Sequence, residues 1–239
     1  MGQVPNQIDK PKYLIVGNGR VAKHLVHYFN FLEITFQHCT RENLSEFGKL
    51  SDPVEKILLL VRDDEIEDFY LAHKNEVTSE KIWIHCSGLL SIYGIQSAHP
   101  MASFTKHLFD LEFYESIPFV TEKGERKFSE LFPEFPNPSF EIEQERKELY
   151  HAWCSIAGNF SVILWQHFFH FLENQLTIPA ESSYPYLKSV TQNLMLSKDP
   201  LTGPIKRGDS KTIEKHFDQI KGSPLEYVYQ SFLKLYHQK

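Results

Sequence analysis

A short apolar run, Tyr13-Leu14-Ile15-Val16, stops at Gly17-Asn18-Gly19-Arg20-Val21-Ala22, after which Val21, Ala22, Leu25, Val26 and Phe29 recur at helical spacing. Such a run reads as a strand buried on both faces, handed by a tight turn straight into a helix. Glu33 to His38 reads as a second strand, which completes a βαβ unit and restricts the chain to α/β architectures with a mostly parallel sheet. Within the turn, Gly17 permits the reversal, Gly19 lets the backbone approach a ligand, and Ala22 allows the helix to pack closely on the strand. The uncovered amides at the helix start form an anion site suited to the pyrophosphate of a dinucleotide. Gly17, Asn18, Gly19, Arg20, Val21 and Ala22 are therefore candidate cofactor contacts; a glycine-rich turn without a ligand is the plainer alternative.

The alternation continues, with Lys56 to Val61 as a strand, Asp64 to Lys74 as a helix and Lys81 to Cys86 as a strand. Ile117 to Thr121 and Phe140 to Ile142 read as further strands, separated by a helix-like Glu125 to Leu131 and a loop through Pro133, Pro136 and Pro138. The sheet region ends near Glu143, and four helices follow: Gln144 to Leu176, Ser182 to Leu196, Ser210 to Lys221 and Pro224 to Tyr236. The expected fold is a Rossmann-type, mostly parallel α/β sheet over residues 1–143, followed by a smaller all-helical domain over residues 144–239. The most apolar stretch, Phe160 to Leu172, is interrupted by Gln166, His167 and His170 and is too short to span a bilayer, so it reads as a buried helix.

Charge and cysteine content remove several classes of function. The net charge of -6 and the scattered lysines and arginines of the 239-residue chain argue against a nucleic-acid partner. The 3 cysteines, Cys39, Cys86 and Cys154, lack metal-type spacing, so no metal site and no disulfide framework is expected, and a reducing cytoplasm fits them. The N-terminus is polar without an apolar signal core, and Asn6 stands where a myristoylation motif starting at Gly2 needs Ser or Thr, so no membrane association is expected.

Specific side chains refine the ligand. An NAD site usually places a carboxylate on the ribose about 20 residues beyond the glycines. Here Gln37-His38-Cys39-Thr40-Arg41 has none, and Thr40 with Arg41 can hold a 2′-phosphate, so NADP is favoured over NAD. Ser87 and His99-Pro100 follow apolar stretches at the expected ligand edge; Ser87 can bind a small-molecule substrate and His99 can move a proton, although for His85 and His99 a structural hydrogen bond serves as an equal explanation. His151, Ser155 and Asn159 share one helix face and can point into a cleft, with solvent exposure as the alternative. In Leu201-Thr202-Gly203-Pro204-Ile205-Lys206-Arg207-Gly208-Asp209 the glycines and proline read as a loop, Asp209 or Ser210 as the cap of the next helix, and Thr202, Lys206 and Arg207 as candidate substrate contacts. Cys86 has no activating partner, which argues against a nucleophilic thiol.

Taken with Val61-x-Asp63-Asp64, His85-Cys86-Ser87-Gly88, Tyr150-His151-Ala152 and Asn159, these strings resemble a two-domain family of NADP oxidoreductase-like proteins. That family joins a Rossmann-like domain to a helical domain of unknown function. It is distantly similar to pyrroline-5-carboxylate reductase and to 6-phosphogluconate and 3-hydroxyisobutyrate dehydrogenases. The resemblance implies a homodimer built through the helical half and places Val61, Arg62 and Asp63 at the cofactor crevice, with Arg62 standing where the family has proline. The related dehydrogenases use a lysine four residues before an asparagine; Ser155 occupies that place before Asn159, so the lysine does not carry over. Two functions stay open: an NADP-dependent oxidoreductase acting on a small polar carbonyl, imine or alcohol through His99 and His151, and a non-catalytic dinucleotide sensor.

Overall fold

The computed structural model describes residues Lys10–His237; the N-terminal stretch holding Gly2 and Asn6 lies outside them. The described residues divide into two compact units, the first running to Ile163 and the second beginning at Leu164.

The first unit is built on a 7-stranded sheet. β1 (Tyr13–Val16), β2 (Phe36–Cys39), β3 (Lys56–Leu59), β4 (Ile82–His85) and β5 (Gln96–Pro100) run parallel in the spatial order β2-β1-β3-β4-β5. β6 (Phe119–Glu122) joins antiparallel to β5, and β7 (Ser139–Ile142) runs parallel to β6. α1 (Arg20–Phe31), α2 (Phe47–Ser51) and α3 (Asp63–His73) make the first three crossovers, and α4 (Leu111–Ser116) and α5 (Phe128–Leu131) flank β6. The chain leaves β1 on one side for β2 and returns on the other for β3, so the carboxyl ends of β1 and β3 form the switch point at which open α/β sheets bind ligands.

Alternation along each strand divides the core between the two faces. Tyr13 and Ile15 of β1 join Phe29, Leu58, Ile84 and Phe119 on one face, while Leu14 and Val16 join Phe47, Ile57, Leu59 and Trp83 on the other. Each fully buried side chain of this size contributes roughly 1.5–3 kcal/mol. The Tyr28 hydroxyl, drawn into the core, is satisfied there: it donates to Asn137 Oδ1 at 2.7 Å, and Asn137 Nδ2 donates to the carbonyls of Tyr114 and Ile117.

The structure departs from sequence expectation in places. His99-Pro100, which the sequence places after an apolar stretch, ends a strand not expected there, β5 (Gln96–Pro100), and Ser97 is polar because it serves the interior. The helix expected from Glu125 shortens to Phe128–Leu131, since Gly124 at φ 86 shapes a turn before it. The expected helix 144–176 is a 3₁₀ turn, α6 (Lys147–Cys154), a π-helical turn at Ser155–Phe160 and α7 (Ser161–Gln175).

In the second unit, α8 (Tyr184–Leu196), α9 (Gly203–Arg207), α10 (Ser210–Ile220) and α11 (Pro224–His237) follow. The Leu201–Asp209 string read as a loop thus contains a helix, closed by Gly208 in the left-handed region at φ 68. Asp209 caps α10 as expected, accepting from the Thr212 amide. The stretch expected to be a buried helix is largely uncovered in the single chain: Phe160 is 53% exposed and Phe171 42%, and only Leu172 is buried. Among the described residues no helix is long and apolar enough to cross a membrane.

One polar tie anchors α6 to the sheet. Lys147 Nζ donates to Glu122 Oε1 at 2.6 Å, to Ser97 Oγ at 2.6 Å and to the Leu90 carbonyl, while Ser91 Oγ donates to Glu122 Oε2 at 2.7 Å. Both charged residues are buried. Lys147→Ala should lower unfolding free energy by about 3–5 kcal/mol, because Glu122 is left as an unpaired buried charge. Replacing both residues by apolar ones of similar volume should recover most of that loss; urea denaturation of the three proteins measures it.

Candidate functional site

The site begins at the turn after β1. Gly17 adopts φ +120, and a Cβ on it would lie 2.3 Å from the carbonyl oxygen of Leu60, at the end of β3. Only glycine allows β1 and β3 to end side by side here. The turn is held by Gly17 N donating to Cys39 O at 2.9 Å and by His38 Nε2 donating to Gly17 O at 2.7 Å. Gly19 differs: the atom nearest to a Cβ built there is 4.0 Å away, so its open side faces the cleft. No side chain caps the start of α1, which leaves the first amides of that 12-residue helix free for an anion.

Above this turn lies a cleft of about 930 Å³. Every candidate cofactor contact except Ala22 lines it: Gly17 to Val21, Thr40, Arg41, Val61, Arg62 and Asp63. Ala22 is fully buried where α1 packs on the sheet. Thr40 is shaped by Asn43, whose Oδ1 accepts from the Thr40 amide at 2.7 Å. Arg41 and Arg62 each approach the same Glu65 oxygen at 3.3 Å, and Arg62 also pairs with Asp64 at 3.1 Å. Arg20 forms no ion pair among the described residues.

A second cavity of about 350 Å³ adjoins it, lined by His99, Pro100, Ala102, Ser103, Phe104 and Asn159 together with Arg20, Val21 and Cys86, the last three also lining the cleft. His99 Nδ1 lies 2.8 Å from the Tyr150 hydroxyl, and its ring meets that of His151 edge-on with centroids 6.0 Å apart. Both imidazoles close on Gly88, where a Cβ would come within 2.6 Å of His151 and 2.9 Å of His99 Nε2. The π-helical turn takes back the drift that four-residue steps accumulate on an α-helix, and Asn159 accordingly reaches the same cavity as His99.

Burial shapes the electrostatics. It depresses His99 to about 4, with His151 and Lys147 adding to the effect, and His85 to about 3, with Lys147 and His99 adding. The Cys86 thiol is pushed up to about 12 by burial, which keeps it protonated and inert. Ser87 spends its hydroxyl internally, donating to Asp63 Oδ2 at 2.7 Å and accepting from the amides of Leu89 and Leu90 at 3.2 Å, so it fixes the loop after β4 against α3. Thr202, Lys206 and Arg207 belong to the second unit: Thr202 precedes α9, and Lys206 pairs with Asp199. Sequence reasoning missed Glu65, Tyr150 as the partner of His99, and Lys147; their signals are three-dimensional, since none sits in a motif that names its partner.

Residues 118–236 match the family described as "Domain of unknown function (DUF2520)". The fold of the chain is similar to that of a Bacteroides fragilis protein described as "putative NADP oxidoreductase", with a TM-score of 0.73 at 15% identity over 98% of this chain and 100% of the other. It is also similar to a Thermotoga maritima protein, with a TM-score of 0.70 at 26% identity over 95% and 97% of the two chains. A 1-pyrroline-5-carboxylate reductase from Streptococcus pyogenes gives a TM-score of 0.56 at 12% identity over 93% and 95%. No curated protein sequence matches the chain.

The two glycines predict separable defects. Gly17→Ala should destabilise the fold, because its Cβ strikes the backbone of Leu60, whereas Gly19→Leu should leave thermal stability nearly unchanged and abolish nucleotide binding. Thermal melts and calorimetric titration of both variants distinguish the two effects. Acid should also weaken the fold. His85 and His99 hold their pKa values at about 3 and 4 in the folded protein against an ordinary 6.5 when unfolded, so below pH 6.5 the unfolded chain binds more protons. Stability from these groups is complete above about pH 6.5 and declines as pH falls toward 3; the urea midpoint at pH 5 should lie below that at pH 7, by less in a His85→Gln/His99→Gln protein.

Proposed function

We propose that this protein is an NADP-dependent oxidoreductase that transfers a hydride to or from a small polar carbonyl, imine or alcohol. In this reading the cleft at Gly17 to Val21 holds the dinucleotide and the cavity at His99 and Asn159 holds the substrate. The observation that carries it is the wall shared by the two cavities: Arg20, Val21 and Cys86 border both, so a ligand lying along the glycine turn extends to the edge of the histidine-lined space. The names of proteins with this fold, an NADP oxidoreductase and a pyrroline-5-carboxylate reductase, point to the same chemistry.

The residues fit such a cofactor. The open face of Gly19 and the uncapped amides of α1 receive a pyrophosphate, and Arg20 adds an unpaired guanidinium. Thr40 and Arg41 follow β2 at the place of the ribose, where a 2′-phosphate can take over the cationic partners of Glu65. When bound, NADPH supplies the hydride. The protein aligns the acceptor carbon, with Asn159 and His99 holding its oxygen or nitrogen, and Pro100, Ala102 and Phe104 keeping water away. In the reductive direction one hydride is added at carbon and one proton at oxygen or nitrogen, the latter delivered through His99 or His151.

NADPH should bind more tightly than NADH, and Arg41→Ala should shrink that preference. His99→Ala and His151→Ala should each lower kcat about a hundredfold with NADPH affinity unchanged. Calorimetry and turnover with a panel of oxo acids, imines and hydroxy acids provide the test. Failure to bind either nucleotide would sink the proposal; binding without turnover of any member would favour the sensor.

A further inference from the structure

Of His99, which lines the smaller cavity, and its neighbour His151, only His99 has its imidazole tied to another side chain by a hydrogen bond among the described residues. Its partner, the Tyr150 hydroxyl, is one turn beyond Lys147 on α6 and is therefore held in place by the buried Lys147–Glu122 tie. A phenol can donate one hydrogen bond and accept others. Around Tyr150 the candidates are His99 Nδ1 and the neighbouring Cys154 thiol. Imidazole nitrogen is a strong acceptor and sulfur a weak one, so the hydroxyl proton belongs to His99. Once Nδ1 accepts, a neutral His99 must carry its own proton on Nε2. That nitrogen has no protein partner among the described residues, and its ring borders the smaller cavity.

We propose that Tyr150 is a positioning residue that locks His99 as the neutral Nε2–H tautomer, so that the cavity presents an uncharged hydrogen-bond donor to the substrate's polar atom. This deepens the oxidoreductase reading and rests on it for its functional meaning, but the tautomer itself rests on the His99–Tyr150 hydrogen bond and on nitrogen being the stronger acceptor. The surroundings resist a cationic ring. His151 on α6 and His85 at the end of β4 flank it, and Lys147 brings a positive charge from beneath, with Glu122 as that lysine's own partner. A neutral imidazole donor polarises a carbonyl or imine without first taking a proton from solvent, and it needs a fixed tautomer to do so.

The test uses the full chain with nitrogen-15-labelled histidine, with the His99 signals identified by their loss in His99→Gln. Two-bond proton–nitrogen spectra without nucleotide or substrate should show His99 protonated at Nε2 and unprotonated at Nδ1, and unchanged from pH 7 to about pH 5.5. Tyr150→Phe should replace that pattern by a mixture of tautomers. In the wild type a coupling between the Tyr150 hydroxyl proton and His99 Nδ1 gives the same result without relying on a variant that could misfold. Protonation at Nδ1, an imidazolium at pH 7, or an identical spectrum in a folded Tyr150→Phe protein would overturn the proposal. Because the spectra need no substrate, a failed search for turnover leaves them intact. Where turnover is found, Tyr150→Phe should lower kcat roughly tenfold with KM for NADPH unchanged.

Discussion

A lysine ammonium and a glutamate carboxylate, both sealed from water, join α6 to the sheet. Burying two charges is expensive, and the pair is tolerable because the ammonium donates to Glu122, Ser97 and the Leu90 carbonyl and each carboxylate oxygen accepts one hydrogen bond, from Lys147 or Ser91. An apolar pair would hold the helix as firmly, but it would tolerate sliding. A three-way hydrogen-bonded ammonium does not, and the register of α6 follows from it. With residue 147 fixed over β5 and β6, Tyr150 and His151 fall over His99, and the π-helical turn then returns Asn159 to the same cavity. Three groups of the site thus depend on one interaction that lies outside it.

The other fixed point is the turn after β1, where two glycines two residues apart are needed for unrelated reasons. Gly17 answers to the protein, since the Leu60 carbonyl leaves no space for a side chain. Gly19 answers to the cleft, because the protein itself leaves that direction open. A glycine kept only for packing shows contacts, and one kept for a ligand shows room. The distinction separates a dinucleotide turn from a merely tight one.

Much of this was legible before any coordinates. The βαβ unit, the mostly parallel sheet and the helices that follow come directly from period-2 and period-3.6 patterns, and the candidate cofactor contacts other than Ala22 line one cleft because the strand ends carrying them converge at one switch point. What escaped has a common cause. β5 is hidden because Gln96, Ser97 and His99 are polar in a strand whose partners are the polar interior; Tyr150 and Lys147 carry meaning only through residues 25 to 57 positions away. The apolar character of Phe160 to Leu172 was plain, but periodicity identifies an apolar face and not what covers it. Ser87 was read as a substrate contact because its place after β4 is right; the hydrogen bonds that occupy it come from Asp63 and from its own loop.

The two cavities also differ in charge, and the difference follows from depth. At the rim of the larger cleft, Arg41 and Arg62 are 89% and 71% exposed in their side chains and share one carboxylate, an arrangement that water screens and that an incoming phosphate can rearrange at little cost. In the smaller cavity, burial acts on His99 and the nearby Lys147 charge opposes a second cation, so its imidazole remains neutral over the physiological range. The glycine turn lies between the two, with the free amides of α1 opening toward anions and the Cys86 thiol held protonated beside it. Arg20 borders both spaces, so its guanidinium reaches the edge of the smaller cavity beside the neutral imidazole.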